Sequence, residues 1–400
     1  VFFVFVFVGL GLLLVAGLYV RHRLGDALSQ LGVGKRPVRI MRWVVAWLLY
    51  GYPVILIGGI VISRLLDHAT IPRLDGLVAS WLLGIPFILS VLVVFQAAPW
   101  LLAIDLAYAI ARRRSVASAA RVRALVVLAV IGVFALYTPI RILAERGDVR
   151  FRHYQIAATP APSAPPFRIA FLADIQQDVH TDGARVRELF AEINAWHPDV
   201  VLSGGDWINT GPDYIDDAAA AAATLHSELG TFSVRGDHEH FAYVDRERSV
   251  GEVDAAMRAA HVDMVNNQVR WFTHAGKRIG VAFLNYNYIH RADRATVEAL
   301  VAEVSKADYS IVITHQLDNK LVALLENKVD LVLGAHTHGG QVNPVVGVMH
   351  VPLARLETDF IDGRYQRGST TILVTAGIGY SIVPVRYAAP GSIELIELSL

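Results

Sequence analysis

Leu333-Gly334-Ala335-His336-Thr337-His338-Gly339-Gly340-Gln341 is the stretch on which the reading of this chain turns. Two histidines one residue apart follow the apolar run Asp330-Leu331-Val332-Leu333, which reads as a buried strand. The histidines then fall on the loop at the strand's carboxyl end. An extended H-x-H would point its imidazoles opposite ways, but flanking glycines let the backbone curl. Both rings can then serve one cluster, or one each of two adjacent ions. A polar turn carrying two incidental histidines is the plainer alternative.

Upstream, one predicted strand after another ends in the same kind of residue. Phe167–Ala173 delivers Asp174-Ile175-Gln176, and Asp199–Ser203 delivers Gly204-Gly205-Asp206. Thr231–Val234 delivers Gly236-Asp237-His238-Glu239, and Tyr309–Thr314 delivers His315. Open α/β sheets place their sites outside the carboxyl ends of strands. Metal-assisted hydrolysis of phosphate esters needs hard oxygen and imidazole ligands drawn from several loops, with a carboxylate shared between two ions.

In this order D-x-Q, GGD, GDHE, T-H and G-A-H-T-H-G-G-Q resemble the motifs of the calcineurin-like metallophosphoesterases, the last most like their bacterial membrane-associated branch. The resemblance covers residues 167–400. It implies an αββα sandwich with a two-metal site. Asp174, Gln176, Asp206 and His338 would hold one divalent ion, and Asp206, Asp237, His315 and His336 the other, with Asp206 bridging. His238 would be the family's non-ligand histidine, giving a proton to the leaving oxygen or stabilising the phosphoryl charge, while a hydroxide held between the ions attacks phosphorus in line. Gln176 stands where many members have histidine, and its carbonyl oxygen is still a competent ligand. Asp237 replaces the usual asparagine and adds a negative charge, which tightens metal binding and weakens attraction for phosphate. Ala335 stands where glycine often precedes the first histidine of the pair. Mixed N/O ligands suit Mn, Fe, Zn or Co.

Other residues have blander readings. His180 and His240 read as solvated loop histidines, Asn266 and Asn267 as turn residues. Asp178 reads either as support behind the site or as a loop carboxylate. His350 is a substrate-contact candidate in a short strand, and Trp207 and Tyr286 either line the pocket or pack.

The soluble part alternates short strands with helices predicted at Ala184–Trp196, Asp213–Leu229, Arg294–Lys306 and Lys320–Asn327. Arg270–His274 and Arg278–Asn285 read as a hairpin, and Thr370–Thr375 and Ser392–Ser399 as late strands. About 240 residues is ample for one core.

Residues 1–150 are different. They carry 16 Lys+Arg against 6 Asp+Glu, whereas 151–400 carry 20 against 30, so a net charge of zero hides a basic half and an acidic one. The acidic half argues against nucleic acid, and the basic half suits anionic lipid headgroups. Four apolar stretches, Val1–Val20, Val44–Ile62, Leu77–Ile104 and Ala124–Ile140, approach the ~20 residues that span a bilayer. Pro86 and Pro99 predict a kink or a shorter span within the third. Tryptophans 43, 47, 81 and 100 suit membrane interfaces. A signal peptide is the alternative for the first stretch. With no cysteine, thiolate sites are excluded.

The sequence thus predicts an N-terminal helical transmembrane anchor of about four spans over 1–150, a Pro/Ala-rich linker over 151–166 centred on Ala157–Pro166, and a metallophosphoesterase domain over 167–400. The expected place is a bacterial inner or plasma membrane. Arg21, Arg23, Lys35, Arg36, Arg39 and Arg42 lie between spans one and two, and Arg112, Arg113, Arg114, Arg121 and Arg123 between three and four. Only Arg64 and Arg73 lie between two and three. Basic loops stay in the cytoplasm, so the catalytic domain is expected outside it. An anchor would hold the site near lipid, favouring a lipid-linked phosphodiester or pyrophosphate. The rival reading is a weak or inactive membrane sensor or binding protein that keeps the phosphoesterase fold, suggested by the changes at 176 and 237.

Overall fold

The computed structural model describes residues 2–65, 76–113, 118–157, 164–346 and 349–400, without the side chains of 2–8, 10, 63, 64 and 346. The chain divides into two compact units. One comprises Val1–Arg146 with Val342–Leu356 and Val383–Ala388; the other comprises Gly147–Gln341, Glu357–Ile382 and Ala389–Leu400.

The first unit is built on long helices, Phe2–Gln30, Lys35–Leu65, Leu77–Arg113 and Ala119–Glu145. Among the described residues, Lys35–Ile62, Leu77–Arg113 and Ala119–Glu145 are long and apolar enough to cross a membrane; Phe2–Gln30 covers the first predicted stretch. Their outer faces are apolar, with Trp43, Trp47, Val61, Leu106, Val133 and Leu136 all exposed. An outward hydrophobic surface of this kind suits lipid. The third stretch is one helix rather than a broken pair. It accommodates Pro86, which has no N–H to donate, through a π-helical turn at Ser80–Gly84 that ends two residues before it. Asp105 ties three helices together. It accepts from Tyr19 Oη at 2.7 Å and Arg123 Nε at 2.9 Å, and pairs with Arg23 Nε at 2.7 Å. Residues 66–75, with Arg73, and 114–117, with Arg114, lie outside the described residues, as does the Pro/Ala run 158–163.

The second unit is an αββα sandwich. Its first sheet has the order β1-β14-β2-β3-β4-β5: β1 (Val149–Ala157), β14 (Gly391–Ser399), β2 (Phe167–Leu172), β3 (Val200–Ser203), β4 (Thr231–Ser233) and β5 (Val262–Met264). Its second has the order β12-β13-β9-β8-β7-β6: β12 (Gly363–Arg367), β13 (Thr370–Val374), β9 (Leu331–Gly334), β8 (Tyr309–Thr314), β7 (Lys277–Leu284) and β6 (Gln268–His274). The remaining strands, β10 (Val345–Val346) and β11 (Met349–His350), pair with each other in the first unit. Strand alternation builds the layers. Phe167, Ile169 and Phe171 meet Val281, Phe283, Ile311 and Leu333 between the sheets. Ala170 and Leu172 turn outward to the helices Gly183–Ala195, Ile215–Ala222 and Arg246–Ala259. On the far side Ala282, Val312 and Val332 pack on Arg294–Val304 and Asn319–Leu325.

Two predicted boundaries need correction. Residues 149–157, assigned to the end of the anchor and the start of the linker, form β1, paired in parallel with β14 from Val149↔Gly391 to Ala157↔Ser399. An edge strand with one solvated face alternates arginine and apolar residues, and so does not announce itself. Segments 342–356 and 383–388, assigned to the catalytic domain, pack with the helices instead. The predicted helix Asp213–Leu229 is also shorter, running as a 3-10 turn Pro212–Tyr214 and then Ile215–Ala222.

Candidate metal centre

Each predicted ligand leaves the carboxyl end of a strand: Asp174 and Gln176 after β2, Asp206 after β3, Asp237 after β4, His315 after β8, His336 and His338 after β9. Five of them hold left-handed backbone, with φ of 50° at Asp174, 45° at Gln176, 59° at Asp206, 76° at His336 and 51° at His338. That conformation costs an L-residue ~1–3 kcal/mol each, so neighbours must impose it. They do so through cross-loop hydrogen bonds: Asp174 N to Gly205 O and Gln176 N to Asp206 O, both 2.9 Å, and His336 N to Asp174 Oδ2, 3.1 Å. Gly377, at φ 66°, lets a neighbouring loop close on Asp174; a Cβ there would sit 2.5 Å from the aspartate's own Cβ.

The side chains converge around Asp206 and His315. Asp206 Oδ2 lies 3.2 Å from Gln176 Nε2, which is 3.1 Å from His338 Nε2. The same Oδ2 lies 3.5 Å from His315 Nε2, itself 3.4 Å from Asp237 Oδ2 and 3.2 Å from His336 Nδ1. Ligand atoms of Asp174, Asp206 and His315 cluster within 4.8 Å of one another, as do those of Asp237, His315 and His336. His315 Nδ1 donates to Gly204 O at 2.8 Å, which turns Nε2 toward the carboxylates.

The donor set fits divalent cations. Asp174 Oδ1 and Gln176 Oε1 are buried and, among the described residues, receive no hydrogen bond. Burial pushes the Asp174 carboxyl up to about 6, with His315 and His336 opposing and Asp206 adding to the shift. Burial also disfavours the charged His336 imidazole, yet hydrogen bonds to Asp237 and Glu357 raise it to about 9. Burial works the same way on His315, and the carboxylates of Asp206, Asp237 and Asp174 hold it well above the usual imidazole range. Asp237 is held below the carboxylate range because the His315 and His336 hydrogen bonds outweigh its burial. Three carboxylates therefore demand positive charge in a buried space, which protons on histidine or bound cations supply.

His238 stands beside this cluster, Nε2 3.9 Å from Asp206 Oδ2, with Nδ1 2.5 Å from Asn209 O. Asp178 supports that arrangement, accepting from Asn209 Nδ2 at 2.6 Å. Trp207 and Tyr286 pack rather than line the site: Trp207 Nε1 donates to Ser233 Oγ at 3.0 Å and Tyr286 Oη to Asp318 Oδ2 at 3.0 Å. Asn267, at φ 52°, is a turn residue whose Oδ1 accepts from Asn285 N. His240 is half-buried, and its ring is pushed below the usual range by burial. His350 is exposed on a two-residue strand of the helical unit.

Three further residues have no role predicted from the sequence. Buried Glu239 accepts from Asp206 N at 3.1 Å, Trp207 N at 2.7 Å and Gly236 N at 2.6 Å, bracing the two aspartate loops. Glu357 Oε1 lies 3.3 Å from His336 Nε2, and Tyr288 N donates to Asp237 Oδ1 at 2.7 Å. Glu239 follows Asp237-His238 directly, which was its only signal; Glu357 and Tyr288 come from loops without one.

Residues 167–340 match the family model described as calcineurin-like phosphoesterase. An uncharacterized metallophosphoesterase of Campylobacter jejuni is 27% identical over 277 residues, covering 68% of each chain. A transmembrane protein with metallophosphoesterase domain from Bos taurus is 26% identical over 249 residues, covering 59% of this chain and 54% of that one. Phosphodiesterase YaeI of Escherichia coli is 24% identical over 239 residues, 59% of this chain and 83% of its own length.

Proposed function

We propose that this chain, whose residues 167–340 match the calcineurin-like phosphoesterase family model, is a membrane-anchored, metal-dependent enzyme that hydrolyses a phosphomonoester, phosphodiester or pyrophosphate bond. The observation that carries the reading is the convergence of three aspartates and two histidines within two overlapping ligand clusters. Asp174, Gln176, Asp206 and His338 would hold one divalent ion, and Asp206, Asp237, His315 and His336 a second. The central position of Asp206 Oδ2, near both Gln176 and His315, supports this division. Their nitrogen and oxygen donors suit Mn, Fe, Zn or Co. When bound, such ions supply Lewis acidity toward phosphoryl oxygens and lower the pKa of water.

The protein's own contribution is positioning and proton supply. His238 Nδ1 donates to the Asn209 carbonyl, so Nε2 is the atom that offers a proton to a leaving oxygen. Asp178 keeps Asn209 in place through its side-chain amide. Burial would neutralise Asp237, which carries a charge where the family usually has asparagine, but hydrogen bonds from His315 and His336 outweigh it and keep the carboxylate ionised.

A lipid-linked phosphate ester suits a site covalently joined to apolar helices, and the basic loops support an extracytoplasmic catalytic domain. The test is hydrolysis by the purified chain of soluble monoesters and diesters and of lipid-linked pyrophosphates, with each metal in turn. Turnover of none of them in any metal would refute the proposal. A reporter active only outside the cytoplasm, fused after Leu400, checks the side; signal from a cytoplasmic reporter alone reverses it.

A further inference from the structure

Segments 342–356 and 383–388 enter the chain beyond the phosphoesterase motifs, yet they belong to the helical unit. Val383, Val385 and Tyr387 are buried in one cluster with Leu92 and Ile142, and Val342 and Val345 pack against it. A polar contact fixes the same docking. Fully buried Gln96 donates Nε2 to Leu92 O and to Thr138 Oγ1, both at 3.1 Å, and its Oε1 accepts from Tyr387 Oη at 2.6 Å. An amide inside an apolar helix must find its partners within the protein. Gln96 is 96 − 77 = 19 positions after Leu77 and 113 − 96 = 17 before Arg113, so the contact lies midway along the helix Leu77–Arg113 and not at its end.

The next residues of the same excursion face outward. Met349 is 65% exposed, Val351 40%, Leu353 56% and Leu356 56%. Four large apolar side chains within eight residues make a patch that water-facing surfaces avoid. His350 and Arg355, both exposed, stand among them, as polar tips do where an apolar body meets headgroups.

We propose that residues 349–356 are a lipid-contacting segment, with Met349, Val351, Leu353 and Leu356 set into the boundary between headgroups and acyl chains. The occupant is the bilayer, because the excursion is continuous with the buried face of two membrane-length helices. In the chain it runs between Gln341, just past His338, and Glu357, which contacts His336. A lipid-bound element is thereby in covalent continuity with the metal centre. The inference rests on the helices being membrane spans and not on the activity.

The chain has no cysteine, so single cysteines can be placed at will. Met349→Cys and Leu353→Cys carry the test; Leu136→Cys, exposed on the helix Ala119–Glu145, is the span control, and Glu188→Cys, exposed on the sandwich, the aqueous control. Each full-length variant is labelled with an environment-sensitive dye and reconstituted in phosphatidylcholine–phosphatidylglycerol vesicles with iodide on both sides. Dyes at 349 and 353 should be quenched by nitroxide lipids, as at 136, and lose the iodide quenching seen at 188. Iodide quenching without lipid quenching at both positions would overturn the proposal. Protection from both quenchers would mean that protein covers the patch, which overturns it equally. Failure of Leu136→Cys to meet lipid would instead overturn the span assignment, and the proposal with it.

Discussion

Gly236→Ala tests the geometry of the centre with the smallest perturbation available. An added Cβ would lie 2.1 Å from Asp206 Oδ1 and 2.8 Å from His315 Cε1. Restoring ordinary contact, which begins at 3.4 Å, needs 3.4 − 2.1 = 1.3 Å of movement. Gly236 does not have a left-handed φ, so alanine suffers no backbone penalty and the effect is steric. The backbone is also held, its N–H by Glu239 at 2.6 Å and its carbonyl by Asn287 Nδ2 at 3.1 Å. Asp206 and His315 must therefore give way. A displacement of ~1 Å in positioned groups costs ~10²-fold in rate, or about 2.7 kcal/mol of transition-state stabilisation. Overpacking costs about 1–3 kcal/mol of stability, so the domain should still fold. The assay is kcat/KM on a chromogenic phosphodiester beside a thermal melt. Gly251→Ala, on the helix Arg246–Ala259 with nothing within 4 Å, is the control and should be silent or stabilising by about 1 kcal/mol. Undiminished kcat/KM in Gly236→Ala would refute the reasoning.

Two further outcomes are expected. His238→Ala should lose about 10²–10⁴ in turnover with metal content unchanged, if the residue serves substrate as proposed; loss of metal by mass spectrometry would make His238 a ligand. Burial raises Glu394 from the usual 4.5 to about 7, with Ser392 and Arg152 opposing the shift. The folded state therefore binds this proton more tightly, and the stability it contributes is full below pH 4.5 and lost as pH rises through about 7. The wild-type melting midpoint should fall across that window by the equivalent of about 3 kcal/mol. Glu394→Gln should flatten the fall, and an equal slope in both proteins would contradict the argument.

The proposed ligands were legible because each follows a short apolar run that reads as a buried strand, and open α/β sheets place their sites outside the carboxyl ends of strands. Phe167–Leu172 and Tyr309–Thr314 are buried along their whole length, which makes them conspicuous. β1 escaped notice because Arg150, Arg152 and Gln155 interrupt it at a half-solvated edge. Arg246–Ala259 was missed for a similar reason: only Ser249, Val253, Asp254 and Met257 are buried, too few apolar residues to mark a face. Glu357 and Gly377 reach the centre from segments distant in sequence, and nothing local to them specifies where those loops return. The docking of Tyr387 on Gln96 is likewise a tertiary fact, 291 residues apart.

The central claim is a pair of ions sharing Asp206, and metal content per chain tests it most directly. The purified wild-type protein, supplied with Mn, Fe, Zn or Co and freed of excess, should retain two ions per chain. Asp206→Ala should lose both or hold them weakly, because Asp206 Oδ2 stands near both Gln176 and His315. Unchanged stoichiometry in Asp206→Ala, or an active wild-type protein with no bound metal, would contradict the account.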